Sequence, residues 1–162
     1  MSRKPPSTAA TKALDALGVA YTPRPYEHDP AAPGYGEEAA RALGVPPQQV
    51  FKTLVADVEG RSVVAVVPVS SMLDLKALAS SVGAKRASMA QPEVAERRTG
   101  YVVGGISPFG QRSRLPLVLD ASASTLTTIL VSGGRRGFDL EIAPGDLLRA
   151  TGGTTAAIAV AR

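Results

Sequence analysis

Lys52 lies in the run Phe51-Lys52-Thr53-Leu54-Val55-Ala56, where strand alternation puts its ammonium on the face shared by Leu54 and Ala56. An ammonium among apolar neighbours either snorkels to water or serves a bound anion or carbonyl. Further on, Gly104-Gly105-Ile106-Ser107-Pro108, followed by Gly110, is built to let backbone approach a ligand closely. Consecutive unshielded N–H groups can stabilise a developing oxyanion or bind a phosphate, although the same residues also suit a plain turn between strands. No Gly-Lys-Ser/Thr ending follows, so the segment is not a nucleotide P-loop. The run Ser132-Gly133-Gly134-Arg135-Arg136-Gly137, with Asp139 just beyond, reads as a turn that could present a hydroxyl and two main-chain N–H groups beside positive charge. Asp139 and Glu141 share one face of Phe138-Asp139-Leu140-Glu141-Ile142, a pattern that also fits an edge strand with a polar side. Tyr26-Glu27-His28-Asp29 gathers polar groups in an irregular segment next to Pro23 and Pro25, where a lone His serves either a site or a turn.

Composition removes whole classes of chemistry. With no Cys and only His28, the chain cannot build a thiolate nucleophile, an iron–sulfur cluster, a Cys/His zinc site or a two-histidine metal site. A Ser–His–Asp triad would have to use His28. No metal and no cofactor is therefore expected. The 162 residues carry 18 Lys+Arg against 14 Asp+Glu, a formal charge of +4, and a pI near 9.7. That balance is only mildly basic, so the position of the charge matters more than its sum. Lys85–Arg86, Arg97–Arg98, Arg112 with Arg114, and Arg135–Arg136 are basic doublets that read either as solvated surface or as a divided phosphate-contacting face.

The first residues, with Arg3 and Lys4 followed by prolines, lack the apolar stretch of a signal peptide, and the longest apolar run, 63–67, is far too short to span a bilayer. A cytoplasmic protein is expected, with neither a membrane nor DNA as partner. A chain of this length should bury roughly 70% of its unfolded surface without staples.

The elements that must position these residues follow from periodicity and punctuation. Ser7 is the expected N-cap of a helix carrying Ala10, Ala13, Leu14 and Leu17 before Gly18. Residues 19–28 should be extended and irregular, and Pro30, Pro33 and Gly34 should form a loop. Glu37 and Glu38 favour the start of a second helix that Gly44 closes. Residues 50–58 and 62–69, joined by Glu59-Gly60, form an expected hairpin. Asp74 should cap a helix through Ser81, and Pro92 should open another ending near Thr99-Gly100. Residues 115–119, 127–131 and 138–142 read as strands, 144–148 as the start of a helix, and 156–160 as a last strand. The irregular alternation predicts a mixed α/β fold: a largely antiparallel, barrel-like sheet flanked by helices, in one domain spanning residues 1–162.

The joint order of these segments resembles the YbaK/EbsC aminoacyl-tRNA deacylases, and among them the free-standing cysteinyl-tRNA(Pro) deacylases. The resemblance runs from about Leu14 to Leu148 and rests on five ordered blocks: Tyr-Glu-His-Asp-Pro from Tyr26, Val-Phe-Lys-Thr-Leu from Val50, Leu-Asp-Leu-Lys from Leu73, Thr-Gly-Tyr-x-Val-Gly-Gly-Ile-Ser-Pro from Thr99, and Val-Ser-Gly-Gly-x-Arg-Gly from Val131. It implies a YbaK-type editing fold that clears wrongly attached amino acids from tRNA, chiefly errors of prolyl-tRNA synthetase. It also implies that Lys52 is the main functional residue and that Gly104, Gly105 and Ile106 supply main-chain groups to the reacting ester. It implies too that Ser107 and Pro108 of the same loop bind the substrate, and that Tyr26, Ser132 and Asp139 line the pocket and hold the amino-acid end or the ribose. For cysteine it implies cleavage by the substrate's own thiol, a step that gains from orientation.

Aminoacylated tRNA is then the expected partner, with prolyl-tRNA synthetase as a candidate protein partner. Contact with RNA should rest mainly on backbone and shape, because four Tyr, three Phe and no Trp offer few stacking platforms. Two rivals remain at this stage: the same fold editing alanyl- or seryl-tRNA, and a non-catalytic tRNA-binding adaptor of a synthetase.

Overall fold

The computed structural model describes residues 5–31 and 34–162. Arg3, Lys4 and Pro33, used in the sequence reading, lie outside the described residues. The first helix, α1 (Ala9–Leu17), is capped by Thr8 rather than Ser7. Thr8 accepts from the Thr11 N–H while the Thr11 hydroxyl accepts from the Thr8 N–H, so two orphan donors are satisfied reciprocally. The segment expected to be irregular contains a short strand, β1 (Thr22–Pro25). It is followed by α2 (Tyr35–Leu43), which Gly44 closes.

The hairpin forms as expected from β2 (Phe51–Val58) and β3 (Arg61–Pro68), paired antiparallel along their whole length. Next come β4 (Ser71–Leu73), α3 (Leu75–Ser81) with Asp74 as its N-cap, β5 (Ser88–Met89) and α4 (Pro92–Thr99). After the glycine loop, β6 (Leu117–Asp120), β7 (Ile129–Arg135), β8 (Phe138–Ile142) and α5 (Pro144–Thr151) follow. The single last strand expected at 156–160 is instead split into β9 (Thr154–Ala156) and β10 (Ala159–Ala161). Two corrections concern the segment around Asp139. Ser132 to Arg135 belong to β7, so only Arg136 and Gly137 make the turn, and β8 is the middle strand of β1-β8-β7 rather than an edge.

The fold is mixed α/β, as the sequence indicated, but its sheet is not a closed barrel. The strands form three sheets, ordered β1-β8-β7, β10-β4 and β5-β2-β3-β6-β9. In the largest, β3–β6 and β6–β9 are parallel, so that sheet is mixed rather than antiparallel. A single parallel bridge between Val50 and Leu130 joins it to β7. Closure fails along β2, which meets β5 at Ala56 and Asp57, bonds Ala90 through the Val55 carbonyl, and leaves its outer edge open over residues 51–54.

The β3 run Val63–Val67 explains its continuous apolarity by being buried on both faces. Val64 and Val66 join Phe51, Leu119, Val131, Phe138 and Leu140 in the main core. Val63, Ala65 and Val67 join Ala56, Leu78 and Ile158 in a second core beneath α3. No helix among the described residues is long and apolar enough to cross a membrane.

Candidate active site

The open edge of β2 borders a cavity of about 400 Å³. The direction of the β2 main chain follows from two hydrogen bonds. The Val50 carbonyl accepts from Val69, on the hairpin side, at 2.8 Å, and the Val55 carbonyl accepts from Ala90, on the opposite side, at 3.1 Å. Polar main-chain groups alternate sides along a strand, so Phe51 and Thr53 turn theirs toward the open edge. Lys52, Tyr26, Gly104, Ile106, Ser132 and Asp139 all line this one cavity. Residues separated by more than a hundred positions are thereby brought together by the β2 edge, the glycine loop and the β7–β8 pair.

Lys52 is half-buried and donates from Nζ to the Ser71 carbonyl at 2.9 Å. That bond uses one of three ammonium hydrogens and fixes the head group. Burial, then the positive charge of Arg162, push its pKa down, and Glu37 opposes them. Arg162 and Glu37 also line the cavity and pair with each other at 2.5 Å.

Asp139 sits across β8 from Arg24 on one side and Ser132 on the other. It is buried, and burial raises its carboxyl to about 7 while Arg24 pulls it back down. Arg24 is otherwise engaged, with Glu141 at 2.5 Å. The Tyr26 hydroxyl is pushed up to about 12, first by burial and then by Asp139.

The glycine loop divides the expected roles. The Gly105 N–H donates to the Val102 carbonyl at 2.8 Å and is spent on the turn. Gly105 does not line the cavity: it packs against the Arg135 and Arg136 main chain, where a Cβ would lie 3.0 Å from Arg135 Cα. Among the described residues, the Gly104 and Ile106 N–H groups find no acceptor, and both residues line the cavity. Ser107 is fully buried, and its hydroxyl accepts from the Phe109 N–H at 3.3 Å. Neither Ser107 nor Pro108 lines the cavity, and Pro108 borders a smaller depression near Arg114.

His28 does not line the cavity either. Its Nδ1 lies 2.7 Å from Glu38, whose other oxygen accepts from the Asp29 N–H at 2.7 Å, so the Tyr-Glu-His-Asp segment is pinned to α2. Among the described residues no three His, Cys, Asp or Glu side chains come together as a metal-ligand set. Sequence reading gave no part to Thr53 and Tyr35, which also line the cavity. Thr53 Oγ1 is the one buried side-chain polar atom without a partner among the described residues. Thr53 could have been singled out as a polar residue on the inward face of a buried strand.

A profile of the family described as "Aminoacyl-tRNA editing domain" matches residues 29–150. The chain belongs to the aminoacyl-tRNA editing domain family. The expectation of an enzyme that edits misacylated tRNA is borne out at that level. The chain is 40% identical over 124 residues to EbsC of Enterococcus faecalis, a candidate Cys-tRNA(Pro)/Cys-tRNA(Cys) deacylase, with 75% of each chain covered. It is 37% identical over 93 residues to ProXp-y of Escherichia coli, a multifunctional Ser/Thr-tRNA deacylase, covering 55% of this chain and 56% of that one. The crystal structure of a candidate trans-editing enzyme for prolyl tRNA synthetase superposes with a TM-score of 0.83 at 28% identity, over 95% of this chain and 98% of the other.

Proposed function

We propose that the cavity receives the aminoacylated 3′ end of tRNA(Pro), and that cysteine is the amino acid it removes. One observation carries this reading. Lys52, Asp139 and two loop residues whose N–H groups find no acceptor among the described residues, Gly104 and Ile106, line a single cavity with no thiol or imidazole among its lining residues. Such a set can position and polarise a labile ester and holds no activated side-chain nucleophile. In the free protein the Ser132 hydroxyl accepts from the Gly134 N–H at 3.1 Å.

The roles follow from charge and direction. Lys52 offers its two remaining N–H donors to the ribose or phosphate of the terminal nucleotide, and Gly104 and Ile106 direct theirs at the ester carbonyl. Asp139, flanked by Tyr26 and Ser132, takes the α-ammonium. Held this way, the substrate thiol attacks its own carbonyl. The S–C bond forms, the ester C–O bond breaks, and the thiol proton leaves with the ribose oxygen, giving a cyclic thioester and free tRNA. The same reading makes the chain one editing domain over residues 1–162, working in the cytoplasm beside prolyl-tRNA synthetase.

A second mechanism is favoured by the Asp139 carboxyl at about 7, a value suited to a general base that draws a proton from water. A panel of cysteinyl-, seryl-, alanyl- and prolyl-tRNA(Pro) separates the two. Thiol attack predicts that cysteine is released far faster than the other three. Equal release of cysteine and alanine would assign the step to water, and release of none would overturn the editing reading.

A further inference from the structure

At the mouth of the cavity, Tyr35, the first residue of α2, is 39% exposed although it lines the cavity wall. The Arg136 guanidinium lies over its ring, 4.2 Å from the centroid. That guanidinium is held from the other direction by its Nη2 donating to the Val103 carbonyl at 2.7 Å. Gly104 completes the arrangement: a Cβ there would lie 2.7 Å from both Tyr35 Cε2 and Arg136 Nε. The glycine loop is therefore pressed against the ring and the guanidinium, and it ties them to the donors inside the cavity. Arg136 is itself exposed. A fixed aromatic ring carrying a fixed guanidinium plane, both reachable from solvent, is the kind of surface on which a nucleobase stacks. For tRNA the base attached to the reacting ribose is an adenine.

We propose that Tyr35 and Arg136 form a stacking platform for the base of the 3′-terminal adenosine. This rests on the editing reading for the identity of the ligand. The ester then enters the cavity while its base stays at the rim, on the exposed faces of Tyr35 and Arg136. A stacking contact made equally in the ground and transition states acts on KM rather than kcat.

The test compares wild type with Tyr35→Phe, Tyr35→Trp and Tyr35→Leu. Two readouts are used: the Kd for adenosine 5′-monophosphate, followed by NMR shifts of the ring and loop resonances, and steady-state deacylation of cysteinyl-tRNA(Pro). Stacking predicts that Phe and Trp keep both values near wild type. Leu, as apolar but without a π face, should raise Kd and KM about tenfold with kcat little changed. Leu matching Phe on both readouts, or wild type showing no shifts at these residues with the nucleotide, would overturn the platform. Nucleotide binding lost in Leu and restored in Trp, in a protein that releases no amino acid from any tRNA, would uphold the platform and overturn the editing reading instead.

Discussion

At the scale of single residues, the cavity combines groups whose charge states and hydrogen bonds are unsettled until something binds. Asp139 is the clearest case. Its carboxyl is raised from the usual aspartate range to about 7 by burial. The folded protein therefore keeps a proton there that the unfolded chain releases, and this group's effect on stability turns unfavourable as pH rises from about 4 to 7. Asp139→Asn should flatten that part of the stability–pH curve and raise the unfolding temperature at pH 8. The same variant should lose the rise in wild-type kcat/KM as pH passes through about 7, ending roughly tenfold lower above it, the range of a charge-assisted bond. A wild-type kcat/KM with no inflection near 7 would remove the carboxylate from binding. Thr53 gives a second, opposite case. Its unpartnered buried hydroxyl predicts that Thr53→Val, a near match in shape, stabilises the protein by about 1 kcal/mol in urea denaturation. A loss of stability instead would show that the hydroxyl is satisfied in solution.

At the scale of elements, three pieces of chain must meet for the site to exist, and the sequence makes their existence legible better than their meeting. The hairpin, the helix capped by Asp74 and the alternating strand 138–142 are readable because each is a local matter of periodicity and punctuation. The glycine run was readable as a loop, but the partition of its donors was not: whether Gly105 spends its N–H on Val102 depends on the turn's geometry, not its composition. The run 132–137 was misread because Ser132, Gly133 and Gly134 look like a turn, whereas pairing with β8 holds them in β7 around a bulge. Gly104 is where loop, helix and turn converge, with φ +93° and with Tyr35 and Arg136 filling the place a Cβ would take. Gly104→Ala should therefore cost about 1–3 kcal/mol in stability through backbone strain and crowding. It should also raise KM for the aminoacyl-tRNA by displacing the rim. Unchanged stability would mean that the loop relaxes freely and is not the rigid support described.

At the scale of the whole molecule, the family was legible from the order of short blocks, while the open seam that makes the cavity was not. A closed barrel satisfies every strand edge. Here β2 stops pairing between the Val50–Leu130 bridge and β5, a long-range outcome that no local pattern announces. The basic doublets likewise separate only in three dimensions. Arg135 lines the cavity and Arg136 its rim, whereas the Lys85 and Arg86 main chain is tied to Glu59, and Arg97 and Arg98 end α4. In the proposed mechanism the seam delivers one ammonium and a few main-chain donors to an ester whose own thiol attacks it, so Lys52 is the group on which that mechanism depends. The direct measurement is single-turnover release of cysteine from cysteinyl-tRNA(Pro) at saturating protein, comparing wild type with Lys52→Ala after circular dichroism has shown both folded. The account predicts a loss of at least about a hundredfold, within the range measured when a single stabilising donor is removed from an active site. Equal single-turnover rates for the two proteins would contradict it.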